Sequence, residues 1–296
     1  MDEKDWLILT TLYEKNSITK TAATLFISQP ALSNRLQQIE ARFGAKIVVR
    51  TKKGVQFTPE GEYLVKGAYD ILKRIQIMDE QIQNMSDTPS GVLRIGASNF
   101  STKYILPELL SRFKSLYPSI EFKVITGWSR DIVNLVYNND IHLGFVRGDY
   151  SWPGEQLLLF EEKMYVCSKT SLRLIDLPHM PRIDYGNDYS NQLLLDKWWS
   201  ENYSVSPHIG MTVDRVDTCK EMVFKGLGYA FLPATILGKN HNMWIHELRF
   251  KSGAPLNRKT WMLYNKETMD FKVVKAFFDF IRNTDFSSLL PLEKTP

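Results

Sequence analysis

Residues 29–43 combine apolar and small polar side chains at helical spacing, a pattern that could contact the edges of DNA bases. Apolar residues recur every three or four positions from Leu32 to Phe43, which predicts one face packed into a core. Amide and hydroxyl groups on the other face can pair with base edges, while backbone N–H groups of the first turn meet phosphate. For this helix taken alone, an ordinary solvated face is the alternative. The polar face carries Pro30, Ser33, Asn34 and Gln37.

Positive charge is concentrated around the same segment. The chain of 296 residues has a net charge of +4, yet residues 28–58 contain six basic residues and one acidic residue, Glu40. Such a local excess predicts an anion-binding surface, and double-stranded DNA is bound largely through its phosphates. The basic residues are Arg35, Arg42, Lys46, Arg50, Lys52 and Lys53.

The neighbouring elements predict a winged helix-turn-helix. Ser28 can cap the helix over 29–43, and Gly44 offers it a left-handed end. The turn 50–54 is basic, as in a wing whose Lys and Arg neutralise phosphates. Basic hairpins also occur on proteins that never bind DNA, so the order of the elements carries the prediction. In order, these are helices over 5–16, 19–26 and 29–43, and strands over 47–49 and 55–57.

A long helix follows, with Thr58 as its N-cap and Pro59 at its first position. Its apolar residues are spaced alternately four and three apart, which is a heptad seam. A helix of about 28 residues, roughly 42 Å long, presents more seam than a small winged domain can bury. We therefore expect a homodimer, with packing against the same chain as the alternative. The seam comprises Leu64, Ala68, Ile71, Ile75, Met78, Ile82 and Met85.

Beyond a polar break at residues 87–91, strands alternate with helices, which predicts a largely parallel α/β sheet. Strands are expected over 92–97, 120–126 and 141–146, and a helix over 103–117. Ligands collect beyond the carboxyl ends of strands in such sheets. The candidate ligand-binding residues at those ends are Ser98, Asn99, Phe100, Ser101, Thr102, Gly127, Ser129 and Arg147.

The chemistry of these strand ends predicts a small anionic ligand. Hydroxyls and backbone N–H groups at helix starts suit a carboxylate, and Arg147 would add a charged fork. Arg258, just before a predicted strand, would add a second one and favour a di- or tricarboxylate such as citrate. Helix capping is the alternative role for the serines, and a surface charge is the alternative for Arg258.

Other function classes find little support. No run of about 18 apolar residues occurs, and the acidic start resembles no secretory signal, so we expect a cytoplasmic protein without membrane contact. Cys167 and Cys219 are expected to be buried thiols. The match of residues 17–20 to SxxK lies at a helix cap, and Gly226-Leu227-Gly228 follows a helix instead of a strand. The five histidines lack metal-ligand spacing, so no catalytic residue, metal or cofactor is predicted.

In combination these motifs resemble the LysR-type transcriptional regulators, and the resemblance extends over nearly the whole chain. The family often has Arg where this chain has Asn34, which bears on base preference. The matching segments are Ser17-Ile18-Thr19-Lys20-Thr21-Ala22-Ala23, Leu25-Phe26-Ile27-Ser28-Gln29-Pro30-Ala31-Leu32-Ser33, Ile39-Glu40, Phe43-Gly44, Arg50 and Thr58-Pro59-Glu60-Gly61.

The resemblance implies a winged helix-turn-helix over 1–58, a linker helix over 59–89 and an effector-binding domain over 90–296. The last would be α/β and two-lobed, like periplasmic solute receptors, with lobe I near 91–161 and 266–296 and lobe II near 162–265. It also implies dimers, paired into tetramers. A transporter's solute-binding protein is the alternative function. The expected DNA contacts are Ser28, Gln29, Pro30, Ser33, Asn34, Gln37, Arg50, Lys52 and Lys53.

Overall fold

The computed structural model describes residues 1–51, 54–86, 88–186, 188–238 and 242–289. The chain divides into two compact units, Met1–Met85 and Ser86–Pro296. Lys52 and Lys53, predicted at the tip of the wing, lie outside the described residues.

The first unit has the predicted order of three helices, a hairpin and a long helix. The three caps expected from sequence form: the Ser28 hydroxyl accepts from the backbone N of Ala31 at 3.3 Å, the Thr58 hydroxyl accepts from that of Gly61 at 3.0 Å, and Gly44 is left-handed with φ 63°. The elements are α1 (Glu3–Lys15), α2 (Ile18–Thr24), α3 (Gln29–Phe43), β1 (Val48–Thr51), β2 (Gly54–Phe57) and α4 (Pro59–Asn84).

One core holds this unit together, and α3 contributes its apolar face to it as predicted. Leu32 and Ile39 are buried against Leu9 and Leu12 of α1. Phe43 continues the apolar spacing but is 42 % exposed, because it is the last helical residue before Gly44. The core therefore fixes the orientation of α3 and leaves its polar face outward.

The start of α4 is fitted tightly beneath the hairpin. A Cβ atom on Gly61 would lie 2.1 Å from the backbone oxygen of Ile47, and backbone cannot yield as a flexible side chain can. Gly67, two turns further along, has no heavy atom within 4 Å of a Cβ. Glycine at position 61 is thus required by a close approach.

Gly61→Ala is expected to destabilise the first unit by about 1–3 kcal/mol, the usual cost of overpacking. Gly67→Ala should instead be neutral or stabilise by up to about 1 kcal/mol, since alanine is the better helix former. Thermal unfolding followed by circular dichroism compares the two variants. Equal melting temperatures would contradict the close approach.

The heptad seam of α4 is covered only near its start. Of the seam residues, Ala68 is buried in the core of the first unit and Leu64 packs against that core, partly buried. Further along, Met78, Ile82 and Met85 are 54 %, 65 % and 78 % exposed. The second half of the seam is thus an apolar strip without cover in the single chain.

The second unit contains a seven-stranded sheet among its described residues, in the order β10-β6-β11-β5-β3-β4, with β9 also paired to β6. Within this sheet β4-β3-β5 run parallel, whereas the pairs made by β11 and β6 are antiparallel. A separate two-stranded sheet, β7-β8, is parallel. The expected parallel pairing therefore holds for β4-β3-β5 and β7-β8 and is wrong for the part of the large sheet built on β6 and β11. The strands are β3 (Gly91–Ser98), β4 (Ile120–Gly127), β5 (Leu143–Arg147), β6 (Glu155–Ser168), β7 (Arg182–Tyr185), β8 (Ile209–Val213), β9 (Ala230–Pro233), β10 (Trp244–Glu247) and β11 (Asn257–Tyr264).

The helices of this unit also depart from expectation at one place. The predicted helix over 103–117 is two helices, because Ile105 leaves the helical conformation at φ −121° and ψ −57° and Pro107 starts a new helix. The helices are α5 (Asn99–Tyr104), α6 (Leu106–Leu116), α7 (Ser129–Tyr137), α8 (Tyr189–Asn202), α9 (Val216–Phe224), α10 (Ala234–Leu237), α11 (Lys272–Arg282) and α12 (Phe286–Leu289), with 3₁₀ turns at Leu174–His179 and Lys266–Asp270.

The long strand β6 links two separate cores. Its first part, through Lys163, pairs with β11, and its last part, from Met164, pairs with β9 and β10. We call the two halves the first lobe, with core residues such as Phe113 and Phe145, and the second lobe, with core residues such as Trp198 and Tyr229. A residue near the middle of β6 is thereby placed where the lobes meet.

Among the described residues, no helix is both long and apolar enough to cross a membrane.

Candidate DNA-reading face and interlobe cleft

The polar face of α3 is exposed and partly ordered by neighbouring side chains. Gln29 donates from Nε2 to the hydroxyl of Thr19 at 2.9 Å, and Arg50 donates from Nη2 to the hydroxyl of Ser33 at 2.9 Å. Asn34, the residue after Ser33, is exposed. The bond from Arg50 ties the hairpin to α3, so both parts of the predicted interface are held together. Ser28, Pro30 and Gln37 are exposed on the same helix.

Part of the positive charge counted in the sequence is already paired. Arg35 contacts Asp2 and Asp5 of α1 and its cap, each at 2.5 Å, and Lys46 contacts Glu40 at 2.8 Å. Among the described residues, Arg42 and Arg50 remain as exposed cations of the window. Of these two, Arg42 belongs to α3 and Arg50 to the hairpin, so both parts of the predicted interface keep a cation that phosphate can pair with.

A small cavity of about 70 Å³ lies between the two lobes. Six of the nine predicted ligand residues line it: Ser98, Asn99, Phe100, Gly127, Arg147 and Arg258. The other lining residues, which the sequence did not indicate, are Trp128, Tyr185, Gly186, Asp188, Asn191, Asp214, Arg215 and Val216.

The other three predicted ligand residues do not line the cavity but form hydrogen bonds with residues that do. Ser101 is buried, and its hydroxyl lies 2.9 Å from that of Ser98. Thr102 donates to the backbone oxygen of Ser98 at 3.2 Å. Ser129 is buried as well and is bonded to Asp188. The capping role, held open as an alternative for the serines, applies to Ser98, whose hydroxyl accepts from the backbone N of Ser101.

Arg147 and Arg258 meet on one buried carboxylate, Glu162. Glu162 lies opposite Arg258 in the pairing of β6 with β11. Its Oε1 accepts from Nη2 of Arg258 at 3.0 Å and from Nη2 of Arg147. Its Oε2 accepts from the backbone N and the hydroxyl of Thr235, at 3.2 and 2.6 Å. All three charged side chains are buried, so they form a cluster with one net positive charge.

The guanidinium of Arg147 keeps donors for a ligand, because Nη2 alone of its three nitrogens has a hydrogen-bond partner among the described residues. Its guanidinium carbon lies 3.5 Å from the centroid of the Phe100 ring, a cation–π contact. Its Nε is buried and has no hydrogen-bond partner among the described residues. Because buried donors without partners are costly, the guanidinium of Arg147 suits an anionic oxygen bound in the cavity.

Asp188 reaches across the cleft to the start of α7. Its Oδ1 accepts from the backbone N of Ser129 at 3.0 Å, and its Oδ2 accepts from the Ser129 hydroxyl at 2.9 Å. The same hydroxyl accepts from the backbone N of Arg147 at 3.1 Å. Burial raises the pKa of Asp188, while the bonds from Ser129 and the charge of Arg147 act in the opposite direction.

A second pair of contacts joins the lobes on α5. Asp217 of α9 accepts from Nζ of Lys103 at 2.9 Å, and it also accepts from the hydroxyl of Tyr104. The cleft is thus bridged by Asp217 at α5 and by Asp188 at α7.

The two cysteines have no part in the cleft. Cys167 and Cys219 are free and buried in the core of the second lobe, as the sequence predicted. Burial raises the pKa of Cys219 to about 12 and that of Cys167 further still. In the described part of the chain, no group of three or more His, Cys, Asp or Glu side chains could hold a metal ion.

A helix-turn-helix unit and a two-lobed α/β unit with an interlobe cleft define a DNA-binding protein with a ligand-binding domain. Residues 4–62 match the bacterial regulatory helix-turn-helix protein, lysR family, and residues 86–285 match the LysR substrate binding domain. The chain therefore belongs to the LysR family. It is a transcriptional regulator that binds DNA and carries an effector-binding domain, and it is not an enzyme.

Similar curated proteins and solved structures agree. The chain is 40 % identical over 282 residues to the uncharacterized HTH-type transcriptional regulator YraN of Bacillus subtilis, covering 95 % of this chain and 98 % of YraN. It is 31 % identical to YkuM of the same organism, covering 93 % and 95 % of the two chains. Full-length CbnR complexed with its target DNA has a TM-score of 0.69 at 17 % identity, covering 95 % and 99 %. The Vibrio cholerae virulence activator AphB has a TM-score of 0.63 at 18 % identity, covering 96 % and 99 %.

Proposed function

We propose that this regulator binds double-stranded DNA as a homodimer, paired into tetramers, and that a small anionic effector in the interlobe cleft controls its DNA binding. The observation that carries the effector proposal is Arg147, a buried cation that lines the cavity and whose Nε has no hydrogen-bond partner among the described residues. The exposed second half of the α4 seam supports dimerisation. The transporter alternative is not favoured, because the helix-turn-helix match accounts for the first unit.

The charges of the cleft favour an effector with one anionic group. Two arginines led the sequence to predict a di- or tricarboxylate such as citrate, but Glu162 neutralises one of them. Phe100, Trp128 and Val216 add apolar surface beside the charge. A small monocarboxylate with an apolar remainder therefore fits better than citrate, and the structure gives the citrate prediction no support.

Arg147→Lys is the sharpest test of this site. Lysine keeps the charge beside Glu162 but lacks the Nε–H and the planar fork. We expect monocarboxylate affinity to fall about tenfold or more, since a hydrogen bond to a charged group contributes about 1.5–3 kcal/mol. Isothermal titration calorimetry on the full-length chain measures it across a panel of carboxylates.

Arg173→Lys is the matched control, because Arg173 is exposed and pairs with Asp176 outside the cleft. The Arg173→Lys variant should bind monocarboxylates with the affinity of the wild type. If both variants bound monocarboxylates with wild-type affinity, Arg147 would not contact the effector. Preferential binding of citrate over every monocarboxylate would contradict the single-charge proposal.

Asn34 and Arg50 are expected to differ in how they affect DNA binding. Asn34→Ala should weaken operator binding about tenfold and relax specificity, because a base contact contributes about 1–3 kcal/mol of discrimination. Arg50→Ala should weaken operator and non-specific DNA alike and reduce the salt slope by about one, as the loss of a phosphate contact does.

Fluorescence anisotropy at several salt concentrations, with a genomic fragment captured by the wild type, separates the two signatures. Equal loss on operator and non-specific DNA in Asn34→Ala would assign Asn34 to the backbone. A wild type that captures no genomic fragment, with or without carboxylates, would contradict the operator proposal.

A further inference from the structure

Two helices that meet at the cleft have unusual beginnings. Asp188 is the N-cap residue of α8, a position where its carboxylate would ordinarily accept from the first turn of its own helix, yet it makes no such bond. Trp128 is the N-cap residue of α7, and its side chain makes no cap bond either. One helix thus has a capping side chain that it does not use, and the other has none of its own.

The unused carboxylate caps the other helix. Asp188 accepts from both the backbone N and the hydroxyl of Ser129, the first residue of α7. A negative charge at this end is favourable, because the first N–H group of the helix has no partner within the helix and the helix dipole is positive there. The cap crosses the cleft, since α7 packs on the sheet of the first lobe and α8 on the core of the second.

The surroundings fix this arrangement. Trp128 packs against the segment that leads to Asp188: a Cβ on Gly186 would lie 3.0 Å from the Trp128 ring and 2.8 Å from the backbone oxygen of Asp214. The Ser129 hydroxyl also accepts from the backbone N of Arg147. The Ser129 hydroxyl therefore links the carboxylate of Asp188 to the backbone of Arg147, the residue that we assign to the effector.

We propose that Asp188 is a specificity-determining residue: its carboxylate occupies the anion-binding end of α7, holds the two lobes together, and restricts the effector to a single anionic group. This inference rests on the proposed effector site at Arg147. A second anionic group would have to replace Asp188 at Ser129 and break the cap between the lobes.

Asp188→Asn tests the proposal, with succinate and monomethyl succinate as probes that share a skeleton and differ by one charge. In the full-length wild type, calorimetry should show tighter binding of monomethyl succinate. In Asp188→Asn, succinate should gain about tenfold relative to its monoester, because the end of α7 is no longer held by a carboxylate. An unchanged ratio would overturn the proposal.

Asp196→Asn is the matched control for net charge. Asp196 is exposed on the same helix, α8, does not line the cavity, and accepts from Nε2 of Gln192 at 2.8 Å. This variant should leave the succinate ratio within about twofold of the wild type, as expected for a screened surface charge. An equal gain in relative succinate affinity in both variants would show that net charge, and not the cap made by Asp188, sets the preference between the probes.

Hydrogen exchange gives a readout that needs no ligand. In Asp188→Asn the amide of Ser129 loses a charged acceptor, so its exchange should accelerate about tenfold or more, with no change in the same amide in Asp196→Asn. Unchanged protection would overturn the cap itself. Absence of binding by both probes to the wild type, with the expected exchange result, would instead contradict the effector site and leave the interlobe cap standing.

Discussion

Ile82→Asp is expected to turn the regulator from a dimer into a monomer and to lower its affinity for operator DNA by about 10²–10⁴-fold, because the second DNA contact would no longer be intramolecular. Ile82 is 65 % exposed in the single chain and continues the seam of α4 between Met78 and Met85. A carboxylate at a buried position of a paired seam would have to be desolvated without a partner.

Sedimentation equilibrium measures the oligomeric state, and fluorescence anisotropy measures the affinity for DNA. Gln83→Asp is the control, since Gln83 is exposed, lies off the seam about 100° around the helix from Ile82, and the variant adds the same charge. It should remain dimeric. A dimeric Ile82→Asp with wild-type affinity would assign dimerisation to another surface.

The first unit could be predicted in detail because its signals are local. Ser28, Gly44 and Thr58 act within one helical turn, and the apolar spacing from Leu32 onward needs only the period of a helix. The structure accordingly reproduces α3 at its predicted ends. The apolar spacing could not show which part of α4 is covered by the same chain. Ala68 and Ile82 both belong to the seam, but Ala68 is buried in the core of the first unit and Ile82 is exposed.

The cleft could be predicted only in part, because its decisive contacts are distant in sequence. The residues after β3, β4 and β5 are found at the cavity since parallel strands bring their carboxyl ends together. Glu162 has no such signal: it lies within an ordinary strand and reaches Arg258 only through the antiparallel register of β6 and β11. Asp188 resembles a local helix cap, and only the structure shows that it caps α7.

These missed carboxylates also explain why the predicted ligand charge changed. Counting Arg147 and Arg258 without their partners doubles the positive charge that an effector would meet. A buried arginine is almost always paired, so the two arginines themselves indicate that a carboxylate lies nearby. The sequence could have supplied that warning, although it could not have selected Glu162 among the acidic residues of the chain.

Glu162→Gln is the second variant with a large expected effect: it should lower the free energy of unfolding of the second unit by about 3–5 kcal/mol, the cost of removing one partner from a buried ion pair. Two buried guanidinium groups would be left beside each other without a counter-ion. Glu161→Gln is the matched control on the same strand. Glu161 is exposed, so its replacement should change stability by less than about 0.5 kcal/mol.

Urea unfolding of the full-length chain, followed by the fluorescence of the tryptophans in the second lobe, measures both variants. Removing a positive charge together with the negative one should restore stability, so Glu162→Gln combined with Arg258→Met is expected to recover at least half of the loss.

The loss of Glu162 should also change effector binding, because the single Glu162→Gln variant leaves a second uncompensated charge in the cleft. At temperatures where it stays folded, it should bind succinate more tightly relative to monomethyl succinate than the wild type does. A Glu162→Gln variant that is as stable as Glu161→Gln, with an unchanged preference between the two probes, would mean that Glu162 does not set the charge of the cleft.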